Sequence, residues 1–369
     1  MKGFTCGLAT AGLLCLAPMS ATAGSLAEAF ADGSVGGHVG AYGVSSKEKG
    51  DVREGFISGS ASLEYETAPF HRLNFGFGAW GTTRLQQKND GDYRGDIESD
   101  AIIHQAFVRY TGDDWGELQA GRYEIDLEWL NDYILGASAQ LTPLAGMDLT
   151  LGWAERQAVV DLDEISESFE KMNGNKGLYF VDLQFMPRQW LTVNPYYYHA
   201  DDIYRAPGLK LTADYELTEA LAATSMAQYV NSRTASASGL DNGDFLWLEQ
   251  GLAYNDFGFY AGYMRADSDG VGGIDSFGDQ MPFEEGDNIY SEDARTWYLG
   301  LDYGWNALSL GALYGETRYD TPRTKEKEFN LIAGYGLWES VDLELIYADV
   351  SKDDAPDFYT INLAVVFNF

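Results

Sequence analysis

The chain ends YTINLAVVFNF, from Tyr359 to Phe369. Tyr359, Ile361, Leu363, Val365, Phe367 and Phe369 are large and apolar, and Thr360, Asn362, Ala364, Val366 and Asn368 stand between them. A soluble protein could bury one face of such an edge strand, but an apolar strand at a terminus invites edge-to-edge pairing. The alternative is a strand of a closed barrel, with hydrocarbon on one side and water on the other.

The same period of two runs through the chain. Ile57, Gly59, Ala61, Leu63 and Tyr65 oppose Ser58, Ser60, Ser62, Glu64 and Glu66. Met147, Leu149, Leu151 and Trp153 oppose Asp148, Thr150, Gly152 and Ala154, and Val341, Leu343, Leu345 and Tyr347 oppose Asp342, Glu344, Ile346 and Ala348. Laid end to end, these segments predict about eighteen strands, each near the ten residues a tilted span requires. Parity is ambiguous near 116–123, 190–198 and 245–255, where Gln250 falls on the apolar face.

The connections alternate between tight turns, such as Asn255-Asp256 and Gly304-Trp305-Asn306, and long acidic loops near 87–100, 157–175, 231–244 and 267–293. That asymmetry is expected of an outer-membrane barrel. Phe70, Trp115, Trp190, Phe257, Trp305, Trp338 and Phe369 gather beside the tight turns, as in an interfacial girdle. No repeated motif at a fixed period supports a solenoid or propeller. The fold expected is therefore an all-β, transmembrane, antiparallel up-and-down barrel.

Residues 1–23 read as a secretory signal peptide, with Lys2, an apolar run from Phe4 to Ala17, and Ala21-Thr22-Ala23 at the cleavage point. Residues 24–34 form a short periplasmic lead, and 35–369 the barrel. Both cysteines, Cys6 and Cys15, fall in the signal, so an exported chain without disulfides is expected. The chain has 24 Lys and Arg against 57 Asp and Glu, a net charge of −33. Such an excess repels nucleic acid and anionic lipid surfaces and suits the handling of cations. Aromatic residues at 14% argue against disorder. Export without an apolar helix of spanning length leaves the periplasm or the outer membrane of a Gram-negative cell.

SLAEAFADGSVGGHVGAYG, Ser25 to Gly43, resembles the start of the Opr-type (OprD-like) outer-membrane porins. GELQAGRYEIDLEWLND, Gly116 to Asp132, is similar to a strand and third external loop of that family. Phe369 at the end of the last strand is similar to the signal that barrels present to their assembly machinery. The resemblance implies an eighteen-stranded porin, a homotrimer in outer-membrane lipid and lipopolysaccharide, with loops folded inward to narrow the channel. It also implies a ladder of basic residues guiding small organic anions. Inward parity supplies Arg72, Arg84, Arg109, Arg156 and Lys210, but also many carboxylates, so weak cation preference is expected instead.

The constriction is expected from Glu124, Asp126, Glu128 and Trp129, facing Arg72, Arg84 or Arg109, or from the loop 267–293. Inward glycines such as Gly76, Gly78 and Gly262 read as open space. DSDGVGGID, with Asp267, Asp269 and Asp275, echoes a calcium loop without its closing Glu; Ca2+ is the one cofactor the sequence suggests. No catalytic residues are expected. A barrel hydrolase would need serine and histidine within reach of one another, and a plugged adhesive barrel is a third reading.

Overall fold

The computed structural model describes residues 23–286, 288–320 and 324–369; the signal peptide expected over 1–23 lies, but for Ala23, outside the described residues. Eighteen long strands follow one another in the chain: β1 (Ser34–Glu48), β2 (Arg53–Glu66), β3 (Leu73–Gln87), β4 (Ala101–Thr111), β5 (Gly116–Glu124), β6 (Tyr133–Leu144), β7 (Met147–Ala158), β8 (Leu178–Arg188) and β9 (Leu191–Ala200). Then come β10 (Tyr204–Thr218), β11 (Leu221–Thr234), β12 (Gly243–Tyr254), β13 (Phe257–Ala266), β14 (Arg295–Trp305), β15 (Leu308–Tyr319), β16 (Thr324–Trp338), β17 (Val341–Lys352) and β18 (Phe358–Asn368). A two-residue strand, Glu170–Lys171, adds to the end of β7. Helix α1 (Leu26–Ala31) precedes the barrel, and the one-turn α2 (Asp92–Asp96) sits in the loop after β3.

Each strand pairs antiparallel with its neighbours, and β18 returns to β1, with His38 opposite Asn368 and Glu48 opposite Phe358. Gly37 and Phe369 exchange backbone hydrogen bonds of 3.2 and 3.1 Å, so the last residue seals the seam. Closure leaves no open edge, the condition for backbone to cross hydrocarbon. No described helix is long and apolar enough to cross a membrane.

The two faces separate as the alternation requires. Ile361, Leu363, Val365 and Phe367 are exposed outward, as are Leu299 and Leu301 on β14 and Leu331 on β16. Thr360 and Val366 are buried on the inner side. Six of the seven turn-flanking aromatics, from Trp115 to Phe369, are exposed at the short-turn rim, while Phe70 is half-buried. The ambiguous Gln250 faces outward. There its amide donates to the Thr224 and Gly251 carbonyls at 2.8 Å and accepts from Ser225 Oγ at 2.6 Å. A polar group on the hydrocarbon side is tolerable only when satisfied in this way.

The inward glycines do not mark open space. A Cβ on Gly76 would stand 2.2 Å from the Phe107 ring, and one on Gly262 2.0 Å from the Tyr298 ring. Glycine lets an aromatic ring from the next strand lie flat on the wall. Burial of those rings stabilises the interior, typically by about 1.5–3 kcal/mol for a large side chain.

Long loops fill much of the lumen. The loops 125–132 and 267–294 carry Trp129, Leu130, Val271, Ile274, Ile289 and Tyr290 into one apolar cluster with Tyr196, Tyr198, Phe245 and Tyr298 of the wall. The loops 88–100 and 159–177 build a second cluster, with Tyr93, Ile97, Leu162, Ile165 and Phe169 against Tyr42 and Phe56.

Candidate functional site

Loops enter the lumen because their acidic stretches are interrupted by apolar side chains that need cover. In 125–132, Leu127 and Leu130 exchange backbone hydrogen bonds and form a small hairpin. Trp129 is 1% exposed and packs its ring 5.8 Å from both Phe245 and Tyr290. Its Nε1 donates to Tyr196 Oη at 3.2 Å. Lys210 Nζ lies 2.8 and 3.1 Å from the two Glu128 oxygens, and Gln228 Nε2 bridges Glu128 and Tyr196 at 3.1 Å each. The hairpin is thus latched to β9, β10 and β11.

Its partner loop interlocks with it. Gln157 Nε2 donates to the carbonyls of Asn131 and Phe277, at 3.0 and 2.9 Å. On the opposite side, backbone bonds from Glu98 to Ile165 and from Ile165 to Asp96 join the loops 88–100 and 159–177.

Between the two packed masses runs a cavity of about 1240 Å3. Its lining extends from Ser46 and Glu54, at the long-loop ends of β1 and β2, to Ala307, Asp342 and Asn368, at the short-turn ends of β15, β17 and β18. The wall contributes Glu54, Asp342 and Glu344; the loops contribute Asp90, Asp92, Asp96, Asp161, Asp163, Glu164, Glu284 and Glu285. These are eleven carboxylates, and among the described lining residues there is no Lys, Arg or His. Apolar side chains, including Val44, Leu162, Phe283, Ile346 and Val366, share the surface.

Crowding and burial shift the loop carboxylates upward. Burial, with the charges of Glu328, Glu344, Glu285 and Asp163, pushes Glu284 up to about 7. Burial likewise raises Glu285, Asp163 and Asp96. In the hairpin, burial and the neighbouring Asp279 push Asp132 up to about 6.

A second cavity, of about 520 Å3, lies under the hairpin. Glu124, Asp126 and Arg109 line it together with Glu64, Glu66, Glu117 and Gln119. Arg109 is committed to the wall: Nη1 donates to Glu66 at 2.9 Å, Nε to Gln119 at 3.0 Å, and the guanidinium covers the Phe107 ring.

The other expected site residues lie elsewhere. Arg72 sits in the turn before β3, in a left-handed conformation (φ 70°), paired with Asp113 at the short-turn rim. Arg84 lies exposed near the long-loop end of β3 and lines neither cavity. Arg156 donates to the Phe169 carbonyl at 3.0 Å and so fastens a loop rather than facing open space. Trp129 is sealed inside the apolar cluster, because an indole gains more from full burial than from a wet surface. Glu128 meets Lys210, not an arginine on the far wall. These placements correct the expected eyelet.

The stretch from Asp267 to Asp275 makes local structure. Asp267 Oδ1 accepts the Ser268 amide at 2.7 Å, while Val271 and Ile274 turn inward to the core. Asp269 is exposed and Asp275 half-buried. Among the described residues, no group of three or more His, Cys, Asp or Glu side chains is placed to hold a metal ion. A serine–histidine contact does exist: His38 lies between Ser60 and Ser62, at 3.0 and 2.8 Å, but Glu64 pairs with His104 instead.

The groups that dominate the larger cavity, Asp163, Glu284 and Glu285, were not singled out by sequence. A signal was present: Met281-Pro282-Phe283 precedes Glu284-Glu285 in an otherwise acidic loop, which marks a segment seeking cover with two charges attached.

A closed antiparallel barrel with an apolar outer band, an aromatic rim and a charged lumen defines an outer-membrane protein with the porin fold. The chain belongs to the HP_OMP_2 family of outer membrane proteins, whose family model matches residues 27–346. Its fold is that of the OprD/Occ porins. Acinetobacter baumannii OccAB4 aligns with a TM-score of 0.78 at 16% identity, over 92% of this chain and 98% of that one. Pseudomonas aeruginosa OpdK, solved with vanillate, aligns at 0.75 and 16% identity, over 92% and 99%. Pseudomonas aeruginosa OpdQ aligns at 0.74 and 15%, over 93% and 99%. No curated protein matches the sequence.

Proposed function

We propose that this protein is a passive channel for small hydrophilic solutes that prefers cations. The observation that carries the reading is the cavity reaching from the long-loop ends to the short-turn ends of the strands, lined by eleven carboxylates and, among the described residues, no base. A water-filled passage with low-dielectric walls focuses the field of such groups and concentrates counter-ions. The passage needs no chemistry from the protein beyond charge and width. The vanillate in the OpdK structure is a carboxylate; an organic anion of that kind would find no basic partner here.

Reconstitution in a planar bilayer under a KCl gradient tests the proposal. The expected reversal potential has the sign of potassium permeation. A clear chloride preference would overturn it.

A further inference from the structure

An amino acid carries an ammonium and a carboxylate, so a passage that recognises it must offer both signs of charge. Here the lumenal bases are diverted. Arg109 is held by Glu66 and Gln119 in the smaller cavity, Arg156 by the Phe169 carbonyl, Lys210 by Glu128, and Lys352 by Glu326 at 2.8 Å. None of these four lines the larger cavity.

In that cavity carboxylates face one another from separate parts of the chain. Asp163 comes from the loop 159–177, Glu284 and Glu285 from 267–294, and Glu344 from β17. All four line this one cavity, so their charges act on the same space.

A second feature fixes their position. Glu328 on β16 is 2% exposed. Its Oε1 accepts the backbone N–H groups of Glu284 and Glu285, at 2.9 and 3.0 Å, and Asn330 Nδ2 at 2.6 Å. Its Oε2 has no partner among the described residues and points at the same loop, 2.6 Å from where a Cβ on Gly286 would stand. Burying a carboxylate is costly unless hydrogen bonds offset the lost hydration, and here two of those bonds come from the loop backbone. What it organises is the backbone from which both filter carboxylates project.

We propose, resting on the channel reading above, that the solutes are organic cations without a carboxylate, such as simple amines. Asp163, Glu284, Glu285 and Glu344 determine this specificity, and Glu328 is a positioning residue. An ammonium gains charge pairing at the filter, while apolar lining side chains such as Val44, Leu162 and Ile346 accept its hydrocarbon body. A carboxylate on the same solute would be carried past like charges with no partner, which is how an interface rejects a competitor.

Lysine and pentylammonium separate the alternatives, since both carry a net single positive charge and only lysine has a carboxylate. Bi-ionic reversal potentials, measured with the full protein in planar bilayers at pH 8, should show pentylammonium favoured by on the order of tenfold. Glu284→Gln combined with Glu285→Gln should bring the ratio toward one. Glu328→Ala should do the same, whereas Glu328→Gln, whose amide oxygen can still accept the two N–H groups, should retain it; heat-modifiable migration checks that each barrel is folded. If lysine permeates as readily as pentylammonium while potassium preference stands, the inference is wrong and the channel reading survives. If folded protein carries no potassium current, both are wrong.

Discussion

Trp129→Ala should loosen the hairpin 125–132 and widen the passage. The indole is 1% exposed, meets Phe245 and Tyr290, and donates to Tyr196. Truncating a buried aromatic to alanine costs about 3–5 kcal/mol. That loss falls on loop docking rather than on the strands, because the residue belongs to a loop and the barrel keeps its ladder. At about 1.4 kcal/mol per factor of ten, the undocked population rises by on the order of a hundredfold to several thousandfold. Leu130 and the Glu128–Lys210 pair remain as anchors, so intermittent rather than permanent release is expected. Single-channel recording should show a higher mean conductance with added open-state noise, and larger neutral polymers should enter. Unchanged conductance and polymer exclusion, in protein that retains heat-modifiable migration, would refute the idea that this packing holds the hairpin in the lumen.

Acidification should weaken cation preference. Glu284 titrates near 7 and Glu285, Asp163 and Asp96 are raised, so lowering the pH from 8 to 5.5 removes filter charge. The sign for stability is opposite: a carboxyl raised on folding contributes docking stability that is present at acid pH and lost as pH rises through its folded value. A cation-to-anion permeability ratio that stays constant over this range would contradict the assignment. Gly76→Ala should destabilise the barrel by about 1–3 kcal/mol through overpacking against Phe107. Adding Phe107→Ala should recover part of the loss in a denaturant-unfolding cycle, and strict additivity would argue against that contact.

The strands were legible because period-two alternation is local: inside and outside are set residue by residue along one strand, as in β2 and β18. Closure was legible from an apolar terminal strand that needed a partner, and β1 supplies it. The lumen was legible only in part. Inward parity named Arg109 and Lys210, and apolar residues in the loop named Glu124, Asp126 and Glu128 as lying within. Sequence could not say that Lys210 would take Glu128, since they are far apart in the chain and meet through independent loop packing.

The amino-acid sequence by itself therefore determined a sealed cylinder, its lipid face and its acidic character, because those follow from spacing and composition. The tertiary structure alone decided which charges remain free to face a solute. The loops bury their apolar side chains on opposite sides of the lumen and pair Arg156 and Lys210 along the way, Arg109 is held by Glu66 of the wall, and Asp163, Glu284, Glu285 and Glu344 are left across the space between. Such sorting depends on contacts between distant segments, and no local pattern encodes it.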